Sequence, residues 1–280
     1  MSIQRKSYQV QGSNLSVLEV GNSDDPIALF LHGIPASAEL FRGVIEQVSQ
    51  QGWHCIAPDL PGYGHTQMAK GADYSVKGTA KFMIQWLQQE GFSNIWLVAH
   101  DIGGGVAQLM LAENESLFAK ATLSNCITAD TWPVPFIQRL ISVAKMGMFA
   151  PMARWGMFKA HKLFDPLKKS SIHPKVLTQE NFKRVFYDGK FHAKGNRAEF
   201  QNLLKSLNPK DTLGNMDKLA QIQTPVHLVW AMKDPFQAWD KPGSILENTF
   251  ANVKVSKIED SGHFVPLDAT EDYVKGILEG

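Results

Sequence analysis

Apolar and polar positions alternate along most of the 280-residue chain in blocks that switch between two periods. Ser7–Gln11 and Leu15–Val20 flank Gly12-Ser13-Asn14, the pattern of two strands joined by a tight turn. Ile27–Leu31 is apolar throughout, as expected of a strand covered on both faces of a sheet. Ala38–Gln51 then reads as an amphipathic helix, His54–Pro58 as a strand, and Ser75–Glu90 as a second helix closed by Gly91. Strand Asn94–Ala99 runs through a glycine cluster into helix Val106–Ala112, and strand Lys120–Asn125 follows. After a long interruption the rhythm resumes with strands Val226–Ala231 and Val253–Ile258 and a final helix, Thr270–Glu279. Strands alternating with helices predict an α/β protein, with a mostly parallel twisted sheet and helices on both faces.

The interruption marks the domain organisation. From about Thr128 to Asn215 the pattern is helical, rich in Met, Phe and Trp, and gives no clear strand. We expect a discontinuous catalytic domain of residues 1–127 and 216–280, and a helical cap of residues 128–215 between two sheet strands. Such an insertion covers the carboxyl edge of the strands, where ligands bind in open α/β sheets.

Composition adds three things. At 44% apolar, the chain can bury a large core. No apolar run reaches membrane-spanning length, and Met1–Lys6 leads into polar alternation rather than a signal-peptide core, so the expected location is cytoplasmic. Cys55 and Cys126 sit in apolar runs and read as buried thiols rather than a disulfide. Net charge is +1, but 15 of the 28 Lys and Arg fall in Pro135–Asn215 with 5 of the 27 Asp and Glu. That imbalance belongs to the insertion and suggests a funnel for an anionic or amphipathic small molecule. Met146, Met148, Phe149, Met152, Trp155, Met157 and Phe158 interleave with these charges, and pocket lining is the favoured reading over membrane contact. Nothing points to nucleic acid, and oligomeric state is left open.

The chemistry concentrates at Ala99-His100-Asp101-Ile102-Gly103. A strand passing into a helix with no spacer exposes one residue at a strained position, with small residues two away on either side. Here the apex is Asp101. Asp234 follows strand Val226–Ala231, and His263 follows strand Val253–Ile258. Nucleophile, acid and histidine in that order, each after a strand, form a triad pattern. Asp130 and Asp240 are weaker candidates for the acid, because Asn125 occupies the end of the strand before the insertion and Asp240 lies far past its own. The nine histidines show no metal-ligand spacing, so no metal or cofactor is expected. His32 reads as a turn residue, His161, His173 and His192 as surface, and Gly103-Gly104-Gly105 as packing glycines.

Taken together, His32-Gly33-Ile34-Pro35, Asp59-Leu60-Pro61-Gly62-Tyr63-Gly64, His100-Asp101-Ile102-Gly103-Gly104, Asp234 and His263 resemble the α/β-hydrolases of the haloalkane dehalogenase and epoxide hydrolase group. The resemblance implies the α/β-hydrolase fold and a covalent alkyl ester on Asp101. His263 then activates water, and Asp234 orients it. Backbone N–H groups of Ile34 and Ile102 are the candidate oxyanion donors. It also exposes departures. Ile102 stands where these dehalogenases carry a halide-binding Trp, and Ile34 where they often carry Asn. The Arg that fluoroacetate dehalogenases hold beside the nucleophile is absent. Trp132 and Trp155 are therefore candidate indole donors, Tyr187 is the cap's one tyrosine, and Phe236 is a candidate pocket wall. Haloalkane hydrolysis is the favoured activity and epoxide hydrolysis the alternative. A catalytically silent binding member of the fold is the reading of another class, opposed by the three intact triad residues.

Overall fold

Among the described residues, eight strands form one sheet, in the order β1-β2-β4-β3-β5-β6-β7-β8. A computed structural model describes residues 2–154, 170–171, 178–188 and 194–280. The strands are β1 (Gln4–Val10), β2 (Ser13–Val20), β3 (Ile27–Leu31), β4 (His54–Pro58), β5 (Ile95–His100), β6 (Phe118–Ser124), β7 (Val226–Ala231) and β8 (Val253–Ile258). β2 pairs antiparallel with β1 and β4, and every later pairing is parallel. β3, β4, β5 and β7 are buried almost throughout, which is what uninterrupted apolar runs demand of strands covered by helices on both sides. β8, at the edge, is at most half-buried, with Lys254 and Lys257 exposed.

The helices differ from the sequence expectation at their ends. Ala38–Gln51 divides into a 3-10 turn, Ala38–Phe41, and α1, Arg42–Ser49. The break has a local cause. Asp59 Oδ1 accepts the Ala38 N–H at 2.8 Å, and Glu39 is held by Arg5 and Arg42, so the first turn is fixed by side chains outside it. α2 spans Val76–Gln89, with Ser75 capping its N-terminus by accepting the Gly78 N–H at 2.9 Å. α3 spans Ile102–Glu113, four residues earlier than the apolar pattern begins, because the glycines after Asp101 are already helical. Cys55 and Cys126 are buried free thiols.

Between β6 and β7, the described residues hold helices and no strand. They include α4 (Pro135–Lys145), Phe149–Arg154, Gln179–Phe186 and Lys194–Ser206. They lie over the carboxyl ends of the strands, where the loops carrying His32, Asp59, Asp101, Asn125, Asp234 and His263 converge. No helix among the described residues is long and apolar enough to cross a membrane.

Candidate active site

The backbone makes the apex before any side chain acts. Asp101 has φ 53° and ψ −120°, outside the regions open to ordinary residues. Such a turn tolerates no bulk beside it. A Cβ on Gly103 would lie 2.4 Å from the Leu31 carbonyl oxygen, and one on Gly33 would lie 2.4 Å from Asp101 Cβ. The glycines are therefore conditions of the turn, not its ornament. Burial of Asp101 at 4% exposure leaves its carboxylate facing a few chosen groups.

Those groups sort the two carboxylate oxygens. Oδ1 accepts the Ile34 N–H at 2.8 Å. Oδ2 faces His263 Nε2 across 3.7 Å, too long for a hydrogen bond. On the far side of the ring, His263 Nδ1 and Asp234 Oδ2 are 2.8 Å apart. The structure thus brings Asp101, His263 and Asp234 into one line, with Ile34 and Ile102 against the apex.

Asp234 is itself tightly held. Its Oδ1 accepts the N–H groups of Phe236 at 2.7 Å and Gln237 at 3.1 Å, and its Oδ2 also accepts from Asn125 Nδ2 at 2.9 Å. Asn125 in turn clasps Ala231 through both backbone groups, at 3.0 and 2.8 Å. The end of β6 therefore supplies a carboxamide that holds the acid rather than an acid of its own. Asp130, the weaker candidate for the acid, is exposed. The His263 loop has a second anchor: its N–H donates to Ser170 O at 2.9 Å, linking it to the insertion.

The charges are arranged unequally. Burial opposes ionisation of Asp234, but His263 and the donors of Phe236 and Gln237 hold its carboxyl below the ordinary range. Burial by itself would lower His263; attraction and hydrogen bonding to Asp234, with Asp101 adding to them, leave it above the ordinary imidazole value. Burial raises Asp101, against the opposing pull of His263 and the N–H groups of Ile34 and Ile102. His100, next to the apex and stacked near His263, is driven down to about 3 by burial and by that neighbour, and so stays neutral.

A narrow cavity of about 30 Å³ opens beside Asp101 and His263. Its described lining is Ile34, Ile102 and Ile127 from below and Trp132, Val134 and Leu207 among the residues from the insertion, with Phe236 and Gln237 at the side. Phe236 stands edge-on to His263 with ring centroids 5.1 Å apart. Neither lysine nor arginine is in this lining, so the basic balance of the insertion does not reach the described cavity wall.

For Trp132 and Tyr187 the sequence favours packing over a donor role. Trp132 lines the cavity, but its indole N–H donates to Thr212 Oγ1 at 2.7 Å, and Thr212 donates to Ala129 O; that N–H is committed to holding the insertion. Tyr187 does not line the cavity: it closes the helix Gln179–Phe186 and packs half-buried against the core. Trp155 lies outside the described residues, as do His161, His173 and His192. Asn125 and Gln237 were not singled out as site residues by the sequence. Nothing in a lone amide announces a contact to a residue more than a hundred positions away. Among the described residues, no group of three or more His, Cys, Asp or Glu is arranged to hold a metal.

With this geometry in place, comparison with known proteins gives the class. The alpha/beta hydrolase fold family matches residues 26–270, and the chain belongs to that family. A haloalkane dehalogenase of Bradyrhizobium diazoefficiens is 35% identical over 107 residues, covering 38% of this chain and 34% of that one. Epoxide hydrolase 2 of Siraitia grosvenorii is 31% identical over 106 residues, covering 38% and 33%. The chain thus aligns with about a third of the length of these two relatives. A crystal structure of an alpha/beta hydrolase fold protein from Burkholderia ambifaria superposes with TM-score 0.85, at 20% identity, over 98% of this chain and 97% of that one.

Proposed function

We propose that the protein is a hydrolase that opens a carbon–heteroatom bond of a small, largely apolar electrophile through an ester on Asp101, with haloalkanes as the substrate class. The observation that carries this reading is the division of labour between the Asp101 oxygens. Oδ1 is held by the Ile34 N–H at 2.8 Å, and Oδ2 faces His263 Nε2 across 3.7 Å beside the cavity that both residues line. A carboxylate needs no base to attack, unlike a serine hydroxyl. Oδ2 displaces the leaving group from an sp³ carbon, which departs with the bonding pair. Oδ1 becomes the ester carbonyl oxygen, already at the backbone donors that stabilise negative charge in the next step.

His263 then acts on water. Neutral Nε2 takes a proton as the water oxygen bonds to the Asp101 carbonyl carbon. The imidazolium so formed is stabilised by Asp234, 2.8 Å from Nδ1. Collapse breaks the ester bond and releases the alcohol with that proton; the second proton of the water, left on the Asp101 carboxyl, then passes through His263 to solvent and restores the carboxylate. The helices between β6 and β7 act as a cap in this reading, walling the cavity from bulk water.

The names of the similar proteins support both haloalkane and epoxide chemistry, and one experiment separates them. His263→Gln protein is incubated with a haloalkane panel and an epoxide panel and analysed by mass spectrometry. The expected result is an alkyl adduct from haloalkanes on the peptide bearing Asp101. An adduct from epoxides only would replace the substrate class, and no adduct from either panel would overturn the ester mechanism for both.

A further inference from the structure

The cavity over Asp101 is apolar apart from the catalytic pair and two side chains, Trp132 and Gln237. The indole N–H of Trp132 is taken by Thr212 at 2.7 Å. Gln237 is different. It is 3% exposed, and its carboxamide oxygen Oε1 is buried with no hydrogen-bond partner. Buried side-chain amides are ordinarily paired, because desolvating one without a partner costs stability.

The fold does not need this amide to hold the loop. The backbone does that: the Gln237 N–H donates to Asp234 Oδ1 at 3.1 Å, and its carbonyl accepts from Trp230 Nε1 at 2.8 Å. A methionine or leucine could make both bonds. The residue thus lines the cavity three positions from Asp234, and its side chain keeps an unpaired acceptor buried in that wall at a cost in stability.

We infer that Gln237 determines substrate specificity by accepting a hydrogen bond from a donor group on the substrate, of which a hydroxyl is the simplest. The substrate class is then an apolar body that carries, besides its electrophilic carbon, a hydroxyl seated on Gln237 Oε1. A hydroxyl can at the same time accept from the amide nitrogen of the same side chain. A site built this way discriminates strongly, because an analogue lacking the donor leaves the buried acceptor unpaired. The inference rests on the proposed reading for the place of the reaction, but the recognition itself is separable from it.

The test uses two ligands of similar shape without a leaving group, cyclohexanol and methylcyclohexane, titrated into the full chain by NMR. Gln237→Met should weaken cyclohexanol about tenfold, as loss of one neutral hydrogen bond does. Methylcyclohexane should bind unchanged or more tightly. The same variant should melt a few degrees higher, since an unpaired buried amide has been removed. Gln237→Leu repeats the comparison with a different shape. Equal changes for both ligands, or unchanged cyclohexanol affinity, would overturn the assignment by reducing Gln237 to packing. Because neither ligand can alkylate Asp101, a failed ester trap beside a selective loss of cyclohexanol overturns the reaction and leaves the recognition standing.

Discussion

Two buried aspartate–histidine groups lie along the carboxyl edge of one sheet, and only one of them is the reactive group of the proposed mechanism. At the end of β3 and β4, His32 and Asp59 are both fully buried. His32 has each ring nitrogen occupied by backbone: Nδ1 meets Gly33 O at 2.9 Å, and Nε2 accepts the Leu60 N–H at 3.0 Å. That pattern fixes a neutral tautomer, and burial pushes the ring below its ordinary value despite the pull of Asp59. Asp59 is filled by Arg5 at 2.7 Å and by the N–H groups of Ala38 and His65. At the end of β5, β7 and β8, His263 instead has one nitrogen on Asp234, and its other nitrogen faces Asp101 across 3.7 Å with no bond made. The lesson is about spare capacity. The same residue types serve as scaffold when every ring nitrogen and carboxylate oxygen is bonded, and suit the proposed chemistry when a nitrogen and a carboxylate oxygen face each other unbonded beside a cavity.

The largest expected effect that breaks this contrast is on the reactive side. Asp234→Asn should lower turnover by about ten-thousand-fold, because an amide cannot hold the imidazolium in place. Folding should be little changed, and steady-state kinetics beside a melting curve checks both. On the scaffold side the same kind of charge removal should act on stability alone. Arg5→Met leaves Asp59 buried without its cation and should cost about 3–5 kcal/mol of unfolding free energy, with kcat of the folded fraction intact. Urea unfolding and kcat on one preparation measure the pair. If Arg5→Met lowers kcat while sparing stability, the division between the two groups fails.

A smaller effect concerns pH. In the proposed mechanism His263 must be neutral to take the water proton, and Asp234 raises its value. The hydrolysis step should therefore climb with pH through a midpoint above the ordinary imidazole value of 6.5. In Asp234→Asn the residual activity should show that limb moved to lower pH, since the stabilising carboxylate is gone. A limb that stays fixed would mean that Asp234 does not set the protonation of His263.

How far these features could be read from the chain depends on their range. The strands from Ile27 to Ile258 and the chain order Asp101, Asp234, His263 are written in local pattern, because a buried parallel strand must be apolar and its following loop must carry the chemistry. The Asp101 turn was legible for the same reason: Gly103 answers a steric demand two residues away. What the chain did not disclose is long-range and conditional. The Trp132 indole depends on Thr212, eighty positions later, and Asn125 meets Asp234 across 109. The break of the first helix at Phe41 depends on Asp59 reaching back to Ala38. Gln237 is an ordinary glutamine until the walls around it are known to be apolar. Side-chain commitments of this kind follow from packing, and no periodicity encodes them.

The central claim is that Asp101 is alkylated at Oδ2 and that water attacks its carbonyl carbon. A single turnover of the wild-type protein in heavy-oxygen water, with enzyme in excess over a haloalkane, tests it without any substitution. The account predicts heavy oxygen in the carboxylate of the Asp101 peptide and ordinary oxygen in the first alcohol released. Heavy oxygen in the alcohol with an unlabelled Asp101 would mean that water attacks the substrate directly, and the ester would have no place in the mechanism.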